Sequence, residues 1–217
     1  MSTRVVLVVL LGILSAIPGI GLAQDSAREL SSQALEECGL GRLAKERSVR
    51  LAHFEKSQAL AERALDVNDE YADAHFALFC SLGEQLRIDG ESLTSLLGFR
   101  RALRELDRTL ELAPDHLDAL SSKGTLLVRL PFMLGGDAEK GEQMLRRVVQ
   151  RDPKAVSARL TLAKIYQARG NRMEALTLAT EALQNAQAER RADLIPEAQA
   201  TLAEFRSAQP VSRSVSP

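Results

Sequence analysis

Three stretches of this chain follow one plan: "ALDVNDEYADA", "TLELAPDHLDA" and "VVQRDPKAVSA". Each closes a segment of helix-period apolar residues, turns through an acidic or proline pair, and opens another such segment. A pattern that returns every few tens of residues describes a stack of small units, none of which can bury its apolar face alone. From Asp69 to Pro114 is 45 residues and from Pro114 to Pro153 is 39, so the period is stretched.

Composition agrees with helices. Tryptophan is absent and only 4% of the 217 residues are aromatic, so leucine and alanine must build the core. That mixture suits closely packed helices and argues against a sandwich or barrel. Ser26 and Glu29 have capping-box spacing, and a first helix is expected to end near Cys38, where "CGLGR" reads as a break. A second helix is expected over about 43–65, with Phe54, Gln58, Ala61 and Leu65 at helical spacing, and a third over about 72–87. The next starts in "DGESLTSLLGF", has Gly98 as a weak point, and ends at Leu112 before Pro114. Asp152 and Pro153 suit a helix start, the carboxylate accepting from free N–H groups while proline supplies a helical φ.

The stretch "LPFMLGGD" interrupts this series. With one helix over 117–130 and another over 138–150, "PFMLGGD" is the turn between them and Asp137 caps the second. Folded inward, Phe132, Met133 and Leu134 close the open end of the hairpin; turned outward, they contact a partner or ligand. The inward arrangement is the expected one, because soluble proteins seldom leave such residues in water. The extra residues of the other stretched unit, "IDGESLTSLLGF", fall in the same type of turn, so two enlarged apolar loops are expected side by side.

From Val156 onward, Leu162, Ala163, Tyr166, Gly170, Ala175 and Ala182 fall at the offsets of a tetratricopeptide repeat. Asn171 and Glu174 add capping-box spacing. The preceding unit has Leu120, Gly124 and Leu127 in register, with Lys123 where a large apolar residue is usual, and the unit before that matches through Leu78 and Ala102. Over roughly 54–188 the chain thus resembles the tetratricopeptide-repeat family. The resemblance implies an all-α fold, a right-handed superhelical stack of about three helical hairpins with extra N- and C-terminal helices. It also implies binding of another protein or peptide in a groove lined by the first helix of each pair. Carried over by position, that groove takes Asp73 and Phe76, then Asp118, Ser121, Thr125 and Arg129, then Leu160, Lys164 and Gln167. The Lys and Asn pattern by which some relatives grip a C-terminal carboxylate is missing, which argues against chaperone-type recognition.

"MSTRVVLVVLLGILSAIPGIGLA" has one charge, a long apolar run and small residues before Gln24, as a secretory leader does. Cleavage after Ala23 is expected in preference to a retained membrane anchor, because Pro18 and its neighbouring glycines spoil the second half as a spanning helix. The expected division is therefore 1–23 leader, 24–206 helical-repeat domain with a closing helix near 193–205, and 207–217 disordered tail, in a periplasmic or secreted protein. Without Arg4 the chain has 27 basic and 29 acidic side chains, a net −2, which gives no footing for nucleic-acid binding.

The residues offer little for catalysis. No phosphate-cradling loop, serine elbow or zinc-binding helix motif is present. His53, His75 and His116 lack a second ligand at metal-forming spacing, so neither enzyme activity nor a metal or other cofactor is expected. At "GGDAEK" capping by Asp137 is preferred over anion binding, because the carboxylate occupies the same donors. Cys38 and Cys80 are the only cysteines. Two readings are open for them, a disulfide formed in an oxidising compartment or two buried thiols. For the whole chain the leading expectation is an exported scaffold for protein interaction. The competing one is a solute-binding accessory subunit of a periplasmic transport system, which would need an apolar cavity walled by the two loops.

Overall fold

The computed structural model describes residues 18–89 and 93–207, and among them every regular element is helical. Helices α1 (Pro18–Leu43) and α2 (Arg47–Val67), α3 (Ala72–Asp89) and α4 (Leu93–Leu112), α5 (Leu117–Arg129) and α6 (Ala138–Arg151), and α7 (Val156–Ala168) and α8 (Arg172–Ala188) form successive hairpins, closed by α9 (Ile195–Ser207). The expected N-terminal extra helix is thus half of a fourth hairpin. Of the expected leader, residues 1–17 lie outside those described, and residues 18–23 are the opening turns of α1. Almost all of the expected tail, 208–217, also lies outside. No helix of the described residues is long and apolar enough to cross a membrane.

The break expected at "CGLGR" does not occur, since α1 runs through it to Leu43. Gly41 is there for packing. A Cβ on it would sit 2.4 Å from the Phe54 ring, so the missing side chain lets α1 and α2 approach over the buried phenylalanine. Continuity of α1 also removes Ser26 from any capping position. Similarly, α4 runs through Gly98, where a Cβ would meet Leu86 at 3.1 Å. Asp152 ends α6 and caps nothing beyond it: its carboxylate accepts from Lys154 N in a local turn, and α7 starts later, at Val156. Asn171 precedes α8 without a side-chain capping bond.

The last hairpin is built as the resemblance implies. Gly170, with φ +82, closes α7 in the left-handed conformation, while Asn171 N donates to Tyr166 O at 2.9 Å and Gly170 N to Gln167 O at 3.0 Å. Ala163, Ala175 and Ala179 pack with Leu202 and Phe205 of α9, their small side chains allowing close approach. Leu162 reaches further than the α7/α8 seam, joining Leu120, Leu145 and Val148 of the hairpin before. At the α5/α6 crossing both helices contribute glycine, and a Cβ on Gly141 would lie 2.6 Å from Gly124 O. Lys123, anomalous for the repeat, bonds Asp107 of α4 at 2.6 Å.

Each histidine faces a carboxylate of another helix: His53 with Glu37, His75 with Glu105, and His116 with Asp73. Both ring nitrogens of His75 face acceptors, Glu105 Oε2 at 2.7 Å and Asp69 O at 2.8 Å. Burial alone would lower its pKa, but these bonds to the protonated ring outweigh burial and raise it. A raised folded-state pKa contributes stability that is fully present below about pH 6.5, the ordinary histidine value, and is lost as pH rises through the folded value. His75→Gln should therefore lower the melting temperature most near pH 6 and progressively less toward about pH 9, measured against the parent chain at each pH. A deficit that grows with pH would show that the charged ring is not the stabilising form. Asp73 acts in the opposite sense. The hydrogen bond from His116 outweighs burial and lowers its pKa, so its contribution fades as the solution is acidified through that depressed value.

Candidate functional site

Alternating antiparallel helices put every odd-to-even turn on one edge of the stack and every even-to-odd turn on the other. Cross-links follow this order. Arg42 near the end of α1 bonds Glu84 in the last turns of α3 at 2.7 Å, and Asp73 in the first turn of α3 meets the His116 cap of α5 at 3.2 Å. Among the described residues, the exposed large apolar side chains gather on the first edge. Leu40, Leu43 and Val49 flank the α1/α2 turn, Leu96 and Leu97 lie in the first turns of α4, Phe132, Met133 and Leu134 form the α5/α6 turn, and Met173 starts α8. Only Val67 departs from this arrangement. Sequence reading picks out the α5/α6 turn and the stretch that carries Leu96 and Leu97, and misses the residues beside the α1/α2 turn and Met173. The signal available for them is apolar residues placed immediately beside successive odd-to-even turns.

The α5/α6 turn is the best-defined part of this edge. Phe132–Leu134 form one turn of 3₁₀ helix, α6 is capped by the Asp137 carboxylate accepting from Lys140 N at 3.0 Å, and the left-handed φ of +84 falls on Gly135. Leu134 N and Gly136 N both donate to Pro131 O, and Asp137 N donates to Leu127 O at 2.9 Å. Gly136 lies against the backbone of Leu130, where a Cβ would be only 1.8 Å from the carbonyl oxygen. This bonding turns the side chains away from the core: Phe132 is 91% exposed, Met133 93% and Leu134 61%. The inward arrangement expected from burial statistics is therefore corrected. The hairpin closes through backbone hydrogen bonds and the close approach of Gly136 to Leu130, without using those side chains.

The second expected loop is mostly helix. Ile88 and Asp89 belong to α3 and Leu93–Phe99 to α4, leaving residues 90–92 outside those described. The apolar edge is thus one structured turn flanked by helix ends, in place of two long loops.

The expected groove residues separate. Asp118 and Arg129 are exposed, Ser121 is half-buried, and Thr125 Oγ1 lies 3.2 Å from Thr161 Oγ1, so α5 and α7 meet there. Lys164 bonds Glu197 of α9 at 2.7 Å, and the Oε1 atom of Gln167 is buried without a hydrogen-bond partner among the described residues. Asp73 is tied to His116 and Tyr71. Phe76 and Leu160 cannot line an open groove, because both are buried. Phe76 packs on Phe79 and the His116 ring, with centroids 5.9 and 4.7 Å apart, while Leu160 packs among Ala182, Ala186 and Ala198.

A separate cleft of about 430 Å³ lies between α6, α7 and α8. Leu162 is buried at its floor, Tyr166, Val149 and Leu178 form walls, and Arg146 stands over the Tyr166 ring at 5.3 Å. The described residues contain no group of three or more His, Cys, Asp or Glu side chains arranged to hold a metal ion.

No described protein family and no curated protein matches the chain. Among solved structures it is similar to YrrB, described as a TPR protein with an unusual peptide-binding site, at 18% identity and a TM-score of 0.34, over 84% of this chain and 92% of that one.

Proposed function

We propose that this chain is an exported, non-catalytic helical scaffold that binds another protein or peptide along its odd-to-even edge, with Phe132 and Met133 as anchors. The observation that supports this reading is the α5/α6 turn, where a network of backbone hydrogen bonds holds three large apolar side chains in water. Isolated exposed apolar residues are ordinary, but a fixed cluster continued by Leu96, Leu97 and Met173 along one edge is characteristic of a contact surface. The preformed backbone of the turn lowers the ordering cost of docking, the Phe132 ring has few rotamers to lose, and the flexible Met133 side chain can adapt to a partner's surface. Export rests on the leader pattern, and the intact mass of the exported protein should match a chain beginning at Gln24.

A photo-crosslinking amino acid at position 133, in the full chain expressed in its own cells, should capture a partner band. The same probe at position 67, the exposed apolar site on the other edge, should not. Changing Phe132 and Met133 together to serine should leave the melting temperature nearly unchanged, since neither side chain is buried. Affinity for the captured partner should fall by about 2 kcal/mol or more, on the order of thirtyfold. Equal capture at positions 67 and 133, or full affinity in the double variant, would remove the edge from the proposal.

The second reading, a solute-binding accessory subunit, does not find the cavity walled by two loops that it needs; what it retains is the helix-walled α6/α7/α8 cleft, whose volume falls in the range of small-molecule pockets. On that reading Thr177→Trp, which narrows the cleft from an exposed wall, would weaken solute binding with little change in melting temperature, and a probe at position 133 of the parent chain would capture no partner.

A further inference from the structure

Sulfur side chains are the ones a mild peroxide oxidises, and this fold sorts them into two sets. Cys38 and Cys80 are free thiols buried in the cluster around Phe54. Met144 of α6 is half-buried and packs against the cluster of Leu120, Leu145 and Val148. Met133 and Met173, by contrast, are 93% and 80% exposed. Met133 lies in the α5/α6 turn, and Met173 lies in the first turn of α8 at the rim of the α6/α7/α8 cleft. Among the described residues, the sulfurs that an oxidant in solution meets first are therefore those of the odd-to-even edge.

We propose that Met133 and Met173 are reversible oxidation sites, and that their conversion to methionine sulfoxide switches the edge out of its docking state. The inference rests on the reading of that edge as the contact surface. The oxidant is hydrogen peroxide. The thioether sulfur attacks one peroxide oxygen, a sulfur–oxygen bond forms as the O–O bond breaks, and the departing hydroxide takes the proton of the transferred oxygen and leaves as water. Sulfur loses two electrons and the peroxide gains them. Return needs a dithiol reductant: the sulfoxide oxygen leaves as water while the dithiol closes to a disulfide.

The surroundings of the two side chains separate the effect on binding from the effect on folding. The α5/α6 turn is held by Leu134 N and Gly136 N on Pro131 O and by Asp137 N on Leu127 O, bonds in which the Met133 side chain takes no part. At the start of α8, the packing into the core comes from Ala175 and Ala179, not from Met173. A sulfoxide oxygen at either position stays in water and demands nothing of the core. Against an apolar partner surface the same oxygen must give up its water, so docking weakens while the fold does not. Met144 could not act in this way, because an oxygen there would enter the packed seam of α5, α6 and α7.

The full mature chain, incubated with hydrogen peroxide and sampled over time, should form sulfoxide on Met133 and Met173 severalfold faster than on Met144, as read by peptide mapping. In urea the rates should converge, because the fold alone sets the difference. The melting temperature of the chain oxidised at both edge positions should be nearly unchanged. Its affinity for the partner captured at position 133 should fall roughly tenfold and recover after enzymatic reduction of the sulfoxides. Changing Met133 and Met173 together to leucine, which peroxide does not oxidise, should abolish the response, so that affinity is the same before and after treatment. Equal oxidation rates on the methionines of the folded chain would overturn the proposal, as would an oxidised chain that binds as tightly as the reduced one. A chain that captures nothing at position 133 before oxidation would overturn the edge reading as well, whereas capture that survives oxidation removes only the switch.

Discussion

Phe54→Ala should lower the melting temperature by roughly 8–16 °C, which corresponds to about 4 kcal/mol in a domain of this size. Phe54 is fully buried at the α1/α2 crossing, beside Cys38, Phe76, Leu106 and Ala119, so one ring closes a junction shared by three hairpins. Truncation removes its transfer free energy and leaves a cavity that cannot collapse readily, because Gly41 already brings the α1 backbone against the ring. The informative comparison is Phe132→Ala. That change removes the same atoms from a side chain that is almost wholly in water, and it should shift the melting temperature by no more than a degree or two. Thermal unfolding of both variants, followed by circular dichroism at one pH, separates the core phenylalanine from the edge phenylalanine. Equal losses would mean that the α5/α6 turn is packed against something in solution and would require a different account of the exposed edge.

Features encoded within a few consecutive residues were legible in the sequence. The three repeated boundaries locate the even-to-odd turns, Asp137 caps α6, and Gly170 closes α7, because turn and capping chemistry is local. What sequence reading missed depends on neighbours distant in the chain. Gly39 and Gly41 look like helix breakers until Phe54 is seen filling the space left by the missing Gly41 side chain. Phe76 and Leu160 come to the groove through the family resemblance, by position in the repeat, and such a position does not record what covers it; in this fold the adjacent hairpin or helix covers both. The outward direction of Phe132, Met133 and Leu134 follows from hydrogen bonds of Gly136 and Asp137 back to Pro131 and Leu127, which no apolar pattern records. The sequence anticipates that Leu96, Leu97 and Phe132 share one edge, but the continuation of that edge through Leu40, Leu43, Val49 and Met173 becomes visible only in the folded stack.

Gly136→Ala tests whether that turn is rigid. A Cβ there would lie 1.8 Å from Leu130 O, 2.6 Å from Leu130 C and 2.9 Å from Pro131 O. All three are backbone atoms, so no side-chain rotation relieves the clash, and the segment must give up the bonds from Gly136 N to Pro131 O and from Asp137 N to Leu127 O. With about 1 kcal/mol lost for each bond and a similar amount for the displaced Asp137 cap, the cost is about 3 kcal/mol, or roughly 6–12 °C in melting temperature. Gly135→Ala makes a useful contrast. Its Cβ would meet open space, so only the left-handed φ of +84 penalises it, at about 1 kcal/mol. If the turn is a preformed anchor, Gly136→Ala should also lose capture at position 133 at temperatures where the helices remain folded, because Phe132 and Met133 are then no longer held in place. Full capture in a variant destabilised this much would show that the partner reads apolar composition alone, and that the fixed geometry of the turn does not contribute to recognition.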